Sequence, residues 1–198
     1  MTTTTIRRAD RREFVARLIK ALPEAALVVT GLGSATYDVF AASDRDRNYY
    51  LWGAMGGSTS LALGLALARP DEPVVVVTGD GEQLMGIGSL ATIGAKQPRN
   101  LAIVVLDNGR FGETGMQLSH TSLGTDLVAV AKGFGIEEAF TVASVDRCAE
   151  LAAHIARREG PTFVQVLIEA KELPRALPPR DGVFIKNRFR AALGLKPF

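Results

Sequence analysis

Four apolar runs recur along the chain. They lie at 26–30, 73–78, 101–106 and 162–168, and each is apolar at most positions rather than at alternate ones. A strand with one face in water alternates between apolar and polar residues, whereas a strand covered on both faces is apolar throughout. The pattern therefore predicts four buried, parallel strands with helices on both faces of the sheet.

Segments with helical spacing lie between these runs. The first covers 11–22, with Asp10 as its predicted N-cap, and the second begins at Ser34, the predicted cap of a helix that runs to Ala42. Further helices are predicted at 58–68, 88–96, 125–133, 146–158 and 183–193, and shorter strands at 49–52 and 139–142. This order is typical of an α/β fold with a doubly wound, mostly parallel sheet flanked by helices. In such sheets, ligands bind at the carboxyl ends of the strands.

Composition limits the class of protein. With 198 residues, 47% of them hydrophobic, we expect one main body over 1–170 and a tail over 171–198 that packs on this body or on a partner subunit. The net charge of +2 gives no reason to expect a nucleic acid or a membrane as partner. No apolar run reaches the roughly 18 residues of a membrane span, and the start of the chain lacks the apolar core of a signal peptide. The single Cys148 cannot form an internal disulfide, so a cytoplasmic location is predicted.

The most informative turn follows the second apolar run. It reads Gly79-Asp80-Gly81-Glu82. Glycines at the end of a strand let a ligand approach the backbone, and the amides of Gly81 and Glu82 would open a helical turn that binds an anion. A carboxylate beside a phosphate requires a cation between them, and Mg²⁺ takes one or two protein oxygens together with phosphate oxygens and water. The turn therefore predicts a site for a metal and a phosphate.

A second ligand is expected from the next strand. Asn108 follows the run 101–106 and lies 28 positions after Asp80. Two neighbouring parallel strands end at the same edge of the sheet, so both side chains should lie on one rim. The segment 107–123, with three glycines, is interpreted as a functional loop beside them.

These residues resemble the metal and diphosphate motif of thiamine diphosphate enzymes, which is Gly-Asp-Gly followed further along by Asn-Asn or Asp-Asn. Here the second part is Asp107-Asn108. The resemblance implies that Asp80, Asn108 and the carbonyl group of Arg110 hold Mg²⁺ on the diphosphate of the cofactor.

A second match lies upstream. The segment Gly53-Ala54-Met55-Gly56 resembles the Gly-x-Met-Gly segment of the same family. The resemblance implies that a glycine carbonyl here contacts the aminopyrimidine and that Met55, a polarizable apolar side chain, supports the bent cofactor. The residues expected to contact the cofactor are Thr30, Gly31, Gly53, Met55, Gly79, Asp80, Gly81, Glu82, Asn108, Arg110 and Gly112.

The resemblance covers only the diphosphate-binding half of such enzymes. The other half, the pyrimidine-binding domain, carries a Glu that protonates the aminopyrimidine. A complete site therefore implies a second polypeptide, a pyrimidine-binding (alpha) subunit, in a hetero-oligomer.

Among members built from two chains, the sequence is most similar to β subunits of sulfopyruvate decarboxylases and to the C-terminal part of phosphonopyruvate decarboxylases. The shared feature is Asp107-Asn108-Gly109 followed by Thr114-Gly115-Met116-Gln117. The similarity implies loss of CO₂ from a small 2-oxo acid with a sulfonate or phosphonate group. Glu113, Thr114 and Gln117 are the catalytic candidates, and which of them handles the proton stays open. His120 or groups on the partner are candidates for the anionic end of the substrate.

Two other functions stay open. A β subunit of a 2-oxo acid:ferredoxin oxidoreductase would contain one such domain, but that family supplies cluster cysteines and this chain has one cysteine. A catalytically dead scaffold homologue would have no use for the predicted metal ligands.

Overall fold

Six parallel strands form the centre of the molecule, in the order β2-β1-β3-β4-β8-β7. A computed structural model describes residues 8–196. The strands of the sheet are β1 (Leu27–Thr30), β2 (Asn48–Tyr50), β3 (Val74–Gly79), β4 (Leu101–Asp107), β7 (Glu138–Val142) and β8 (Thr162–Leu167). All five neighbouring pairs are parallel, which confirms the predicted doubly wound sheet.

Eight helices within the described residues surround this sheet. They are α1 (Arg11–Ala21), α2 (Ser34–Ala42), α3 (Ser58–Ala68), α4 (Asp80–Met85), α5 (Ser89–Lys96), α6 (Leu127–Gly133), α7 (Cys148–Arg157) and α8 (Gly182–Ala192). In the described part of the chain, no helix has the length and apolar character needed to cross a bilayer.

The apolar runs are continuous because the sheet has a core on each face. Along β3, Val75 and Val77 contribute to the core formed with α1, α2 and α7, whereas Val74 and Val76 contribute to the core formed with α3, α5 and α6. Side chains alternate between the two faces of a strand, so a strand buried on both faces needs apolar residues at every position.

Helix caps match the sequence only in part. Asp10 is the N-cap of α1, as predicted, and accepts a hydrogen bond from the amide of Glu13. The predicted cap Ser34 is wrong, because Ser34 is the first residue of α2 and the cap position belongs to Gly33. Gly33 has φ of 69°, a conformation that side chains disfavour, and its open surface is covered by the side chain of Glu113.

The loop after β4 contains more structure than the sequence suggested. A two-stranded antiparallel hairpin, β5 (Arg110–Phe111) and β6 (Gln117–Leu118), folds its first half. A 3₁₀ turn, His120–Leu123, follows and leads to α6. The hairpin holds the predicted catalytic residues beside the end of the sheet.

The C-terminal tail returns to the opposite edge of the sheet. Helix α8 packs on β2, where Phe189 lies edge-on to Tyr49 with ring centroids 5.4 Å apart. Arg188 forms a salt bridge of 3.0 Å with Asp44. The stretch before α8 crosses the surface near the carboxyl ends of β1 and β3, where the predicted site lies.

Two helix glycines provide a test of this packing. A Cβ at Gly94 in α5 would lie 1.7 Å from the carbonyl oxygen of Phe134, whereas a Cβ at Gly64 in α3 would meet nothing within 4 Å. We expect Gly94→Ala to destabilise the purified chain by about 1–3 kcal/mol through this clash. Gly64→Ala should stabilise it by about 0.5–1 kcal/mol, because Ala favours a helix over Gly. Urea denaturation measures both, and a shift of the same sign in both variants would contradict this packing.

Candidate active site

The strand ends bring the two predicted metal ligands to one rim. β3 and β4 pair in register, with Gly79 beside Leu106. Asp80 begins α4 directly after β3, and Asn108 follows β4. Both residues line one cavity of about 310 Å³ at the carboxyl ends of the strands. The structure thus brings together what the sequence placed on neighbouring strands.

Asp80 is a buried carboxylate whose negative charge is stabilised by two hydroxyl groups and no cation among the described residues. It is 2% exposed, and its Oδ2 accepts hydrogen bonds from the hydroxyl groups of Ser119 and Thr121, the latter at 3.2 Å. Burial raises the pKa of Asp80 to about 6; the nearby Asp107 adds to the rise and the Ser119 hydroxyl opposes it. A cation beside Asp80 would relieve this excess of negative charge.

Asp107 is fixed away from the cavity by the same loop. Its Oδ1 accepts from the amide of Gly109 at 2.8 Å and from Thr121 at 2.9 Å, and its Oδ2 accepts from Gln165 at 2.6 Å. Thr121 therefore bridges the two carboxylates. Ser119 and Thr121 were missed from the sequence, where two hydroxyl residues in a polar loop carry no distinctive signal.

Asn108 and Arg110 form the turn after β4. The Asn108 Oδ1 accepts a hydrogen bond from the Arg110 amide at 2.8 Å, while the Arg110 guanidinium donates to the Met116 carbonyl at 3.1 Å. Both residues line the cavity, as does Gly112. The side chain of Arg110 is thus held along the hairpin, and its predicted role as a carbonyl ligand stays a prediction.

Glu82 has a role that the sequence did not suggest. Its buried carboxylate accepts hydrogen bonds from the Leu32 amide at 2.8 Å, the Ser58 hydroxyl at 3.2 Å and the Gly56 amide at 3.4 Å. Burial raises the pKa of Glu82, and these donors oppose the rise. The side chain therefore joins the turn after β1 and the segment before α3 to the turn after β3.

Gly31 makes room for this carboxylate. A Cβ at Gly31 would lie 1.6 Å from Glu82 Oε2, so only glycine fits there. The preceding Thr30 is fully buried, and its hydroxyl forms a hydrogen bond of 2.6 Å with the hydroxyl of Thr36. Neither Thr30 nor Gly31 lines the cavity, so their contact with the cofactor stays a prediction.

The Met55 segment forms the wall opposite the hairpin. Met55 lines the cavity and is 45% exposed. Gly56 and Gly86 lie in backbone contact, since a Cβ at Gly86 would be 2.1 Å from the Gly56 oxygen. Gly53, with φ of 75°, has open space around it. The contact between Gly56 and Gly86 fixes the Met55 segment against the end of α4.

The three catalytic candidates lie on the hairpin. Glu113 and Thr114 line the cavity. Gln117 lies behind them: its amide donates to the Thr114 carbonyl at 2.8 Å, and the Thr114 hydroxyl donates to its side-chain oxygen at 3.0 Å. His120 is exposed and lies edge-on to Phe111 at 6.5 Å, outside the cavity lining. Of these residues, Glu113 is therefore the carboxylate that can reach a substrate in the cavity.

Several cavity residues have no counterpart in the sequence-based prediction. Arg11, from α1, lines the cavity and forms a buried ion pair with Asp38. The other unpredicted lining residues are Leu32, Gly33, Ser34, Ala35, Tyr37, Trp52, Leu106, Phe111 and Ile168. They come from five separate stretches of chain, and residues that meet only through the fold leave no local pattern.

The donor set fits a metal bound to phosphate rather than a protein cage. Within residues 8–196, no three His, Cys, Asp or Glu side chains are grouped so that they could hold a metal by themselves. The Asp80 carboxylate and the Asn108 amide lie at the rim, which suits Mg²⁺ if phosphate, water and a backbone carbonyl supply the other ligands. Open space beside Gly79, where an added Cβ would meet nothing within 4 Å, leaves room for such a ligand.

A comparison with known families shows which family the chain belongs to. Residues 31–166 match the profile of a family described as thiamine pyrophosphate enzyme, C-terminal TPP binding domain. The chain belongs to the thiamine pyrophosphate enzymes. Thiamine pyrophosphate is the thiamine diphosphate of the sequence-based prediction, so the predicted family is confirmed.

Two relatives among the thiamine pyrophosphate enzymes show how much of a related protein this chain covers. Phosphonopyruvate decarboxylase of Streptomyces viridochromogenes is 38% identical over 195 residues, which cover 96% of this chain and 48% of that protein. Sulfopyruvate decarboxylase subunit beta of Methanocaldococcus jannaschii is 39% identical over 127 residues, which cover 64% of this chain and 67% of that subunit. The chain therefore spans about half the length of the phosphonopyruvate decarboxylase that it matches.

A solved structure shares the fold. Benzoylformate decarboxylase from Polynucleobacter necessarius superposes with a TM-score of 0.71, covering 83% of this chain and 34% of that one, at 22% identity. At this level of identity the likeness supports the thiamine pyrophosphate-binding fold alone.

The buried Asp80 carboxylate should destabilise the cofactor-free chain at neutral pH. Its folded-state pKa, about 6, lies above the ordinary value of 3.8, so folding favours the protonated form. Stability is therefore lost as pH rises through 6. We expect Asp80→Asn to raise the free energy of unfolding by roughly 1–3 kcal/mol at pH 8 and to change it little at pH 4.

Urea denaturation at the two pH values measures this difference. Asp71→Asn is the matched control, because Asp71 is exposed and should give no change at either pH. An Asp80→Asn variant that is less stable than wild type at pH 8 would contradict the charge argument.

Removal of the Glu82 carboxylate should loosen the site. We expect Glu82→Ala to destabilise the chain by about 2 kcal/mol, because three buried donors lose their acceptor, although the loss of a buried charge offsets part of this. Amide hydrogen exchange should rise at Leu32 and Gly56 more than elsewhere. Glu150→Ala removes an exposed carboxylate from a surface pair with Arg147 and serves as control. Equal exchange at both amides in the two variants would refute this role.

Proposed function

We propose that this chain is the diphosphate-binding, or beta, subunit of a two-chain, thiamine diphosphate- and Mg²⁺-dependent 2-oxo acid decarboxylase. Sulfopyruvate is the proposed substrate, and sulfoacetaldehyde and CO₂ are the products. The observation that carries the proposal is the presence of Asp80, Asn108 and Met55 around a single cavity at the strand ends. Relatives named as sulfopyruvate decarboxylase beta subunits, from three organisms at 39–41% identity, support the choice of substrate.

The rim residues are the proposed cofactor and metal ligands. Asp80, the Asn108 side chain and the Arg110 carbonyl would hold Mg²⁺ on the diphosphate, and the amides of Gly81 and Glu82 at the start of α4 would contact the phosphate oxygens. Burial of Asp80 supports this role, because a carboxylate whose pKa is raised by desolvation gains most from a cation.

The walls of the cavity are proposed to orient the reactants. Met55 would support the thiazolium side, and the Gly53 carbonyl would contact the aminopyrimidine. Thiamine diphosphate supplies, when bound, the carbon nucleophile and the electron sink for decarboxylation. The chain's own task is then to exclude water and to place a proton donor, for which we propose Glu113, a carboxylate on the cavity wall. Thr114, whose hydroxyl donates to Gln117, would offer its oxygen as a hydrogen-bond acceptor beside it.

A partner subunit is required by this proposal. Glu82 and Glu113 are the glutamates among the described residues that line the cavity. Glu82 is held by three donors and Glu113 is proposed for the proton, so the activating Glu would come from another chain. Apolar side chains stand exposed around the same end of the molecule: Met55, Met85, Leu118 and Leu123. Such a cluster suits burial against another chain. A cytoplasmic location for the complex stays a prediction from the sequence.

Phosphonopyruvate is the second candidate substrate. The relative that matches nearly all of this chain is named for it. Sulfonate and phosphonate are both tetrahedral anions, but phosphonate carries more negative charge near neutral pH, so the two substrates should differ in how strongly they depend on cationic side chains.

Co-expression tests the proposal. The full chain should be produced alone and together with a pyrimidine-binding (alpha) subunit. The chain alone should show no turnover, and the co-purified complex should convert sulfopyruvate in a panel with phosphonopyruvate and pyruvate, with Mg²⁺ required. Aldehyde formation coupled to a dehydrogenase measures the rates.

Asp80→Asn serves as the inactive control in the same complex. This substitution should abolish the Mg²⁺-dependent binding of thiamine diphosphate, which calorimetry measures. Full activity of the chain without a partner would overturn the two-subunit proposal, and unchanged cofactor affinity of Asp80→Asn would overturn the assignment of the metal ligand.

A further inference from the structure

A proline-rich strap crosses the surface beside the cavity. It covers 171–181, between the end of the sheet and α8, and three contacts hold it on the body. Lys171 forms a salt bridge of 2.6 Å with Asp10, Arg12 donates to the Pro174 carbonyl at 2.6 Å, and the Trp52 indole donates to the Pro179 carbonyl at 3.0 Å. These contacts fix both ends of the strap and leave Arg175 between them.

Arg175 is the residue of the strap whose positive charge lies beside the cavity. Its guanidinium forms a salt bridge of 3.1 Å with Glu113, the carboxylate that lines the cavity, and lies 6.0 Å from the centre of the Tyr37 ring. Arg175 and Glu113 are 62% and 42% exposed. An exposed pair of this kind is weak and exchanges readily for another anion.

The two arginines that line the cavity, Arg11 and Arg110, differ in how firmly they are held. Arg11 pairs with Asp38, which is fully buried and is also bound by Arg12 at 2.9 Å. Breaking this buried group would leave an uncompensated charge, which is strongly unfavourable. Arg110 lies along the hairpin on the Met116 carbonyl. Arg175 differs from both because it already faces a carboxylate on the cavity wall, so its guanidinium is aimed at a place that a substrate anion can occupy.

We propose that Arg175 is the specificity-determining contact for the sulfonate or phosphonate group of the substrate. The inference rests on the proposed function. The tetrahedral anion takes the place of the Glu113 carboxylate on the guanidinium, which presents several N–H donors to such a group. Displacement frees Glu113 on the wall of the cavity at the moment when substrate enters. Arg175 thus links recognition of the anionic end to release of the proton-handling carboxylate.

Variants of the co-purified complex test this contact. Arg175→Gln should lower kcat/KM for sulfopyruvate by about 10- to 100-fold, mainly through KM, because a charge-assisted hydrogen bond to the substrate is lost. The value for pyruvate, which lacks the anion, should change less than about threefold. Arg175→Lys should recover part of the loss, since it keeps the charge but not the planar donor array. Arg180→Gln is the matched control, an exposed arginine on the same strap.

Binding provides a readout that is independent of turnover. Calorimetry of the complex with 3-sulfopropionate and with 3-phosphonopropionate, which lack the keto group, should show about a tenfold or greater loss of affinity in Arg175→Gln and none in Arg180→Gln. The larger loss identifies which tetrahedral anion the site favours.

Two outcomes would overturn the inference. One is an equal loss of kcat/KM for sulfopyruvate and pyruvate, which would indicate a structural role of the strap. The other is unchanged affinity of Arg175→Gln for both analogues. Failure of the proposed function gives a different result, namely a wild-type complex that decarboxylates no 2-oxo acid of the panel.

Discussion

Burial of negative charge at the end of β3 is the constraint on which the site depends. Asp80 and Glu82 stand two residues apart in one turn, and both are shielded from water. Carboxylates are strongly hydrated, so each must be compensated inside the protein. Glu82 finds its compensation in donors from two neighbouring segments, whereas Asp80 has two hydroxyl groups and the repulsion of Asp107. The Glu82 carboxylate therefore organises the loops, and Asp80 is the place where a cation is favourable.

This division explains why the loops around the cavity are rich in glycine. Glu82 can reach the Leu32 amide only because Gly31 has no side chain, and the Met55 segment can approach α4 only through the contact of Gly56 with Gly86. The first contact brings the Glu82 carboxylate against the backbone at Gly31, and the second brings two backbone segments together. The result is a cavity whose walls are tied to one turn, so that a ligand bound at Asp80 is also placed against Met55 and the hairpin.

The sequence predicted this arrangement as far as local pattern reaches. Continuous apolar runs predicted the parallel strands, and neighbouring strand ends predicted that Asp80 and Asn108 share a rim, because both follow from periodicity and chain order. The cap of α2 was predicted wrongly because a serine is a good cap in general, whereas here Gly33 must yield its surface to Glu113, which is 80 positions away. Glu82 was expected to serve through its amide, since nothing in its neighbourhood shows that its side chain reaches Leu32 or Ser58. Arg11 and Arg175 resemble ordinary surface arginines in the sequence and meet the cavity only in three dimensions.

The cavity combines an acidic rim, apolar walls and a basic mouth. Asp80, Leu106, Phe111 and Ile168 line the cavity, and Arg175 pairs with Glu113 on its wall. A 2-oxo acid whose sulfonate is held at the mouth would place its carboxylate away from Arg175 and near these apolar side chains. A carboxylate in such surroundings is poorly solvated, and its departure as neutral CO₂ removes the unfavourable charge. The same geometry would hold a simple 2-oxo acid less firmly, because it lacks the group that anchors the far end. Selectivity for an anionic substrate and a favourable place for decarboxylation would then follow from one distribution of charge.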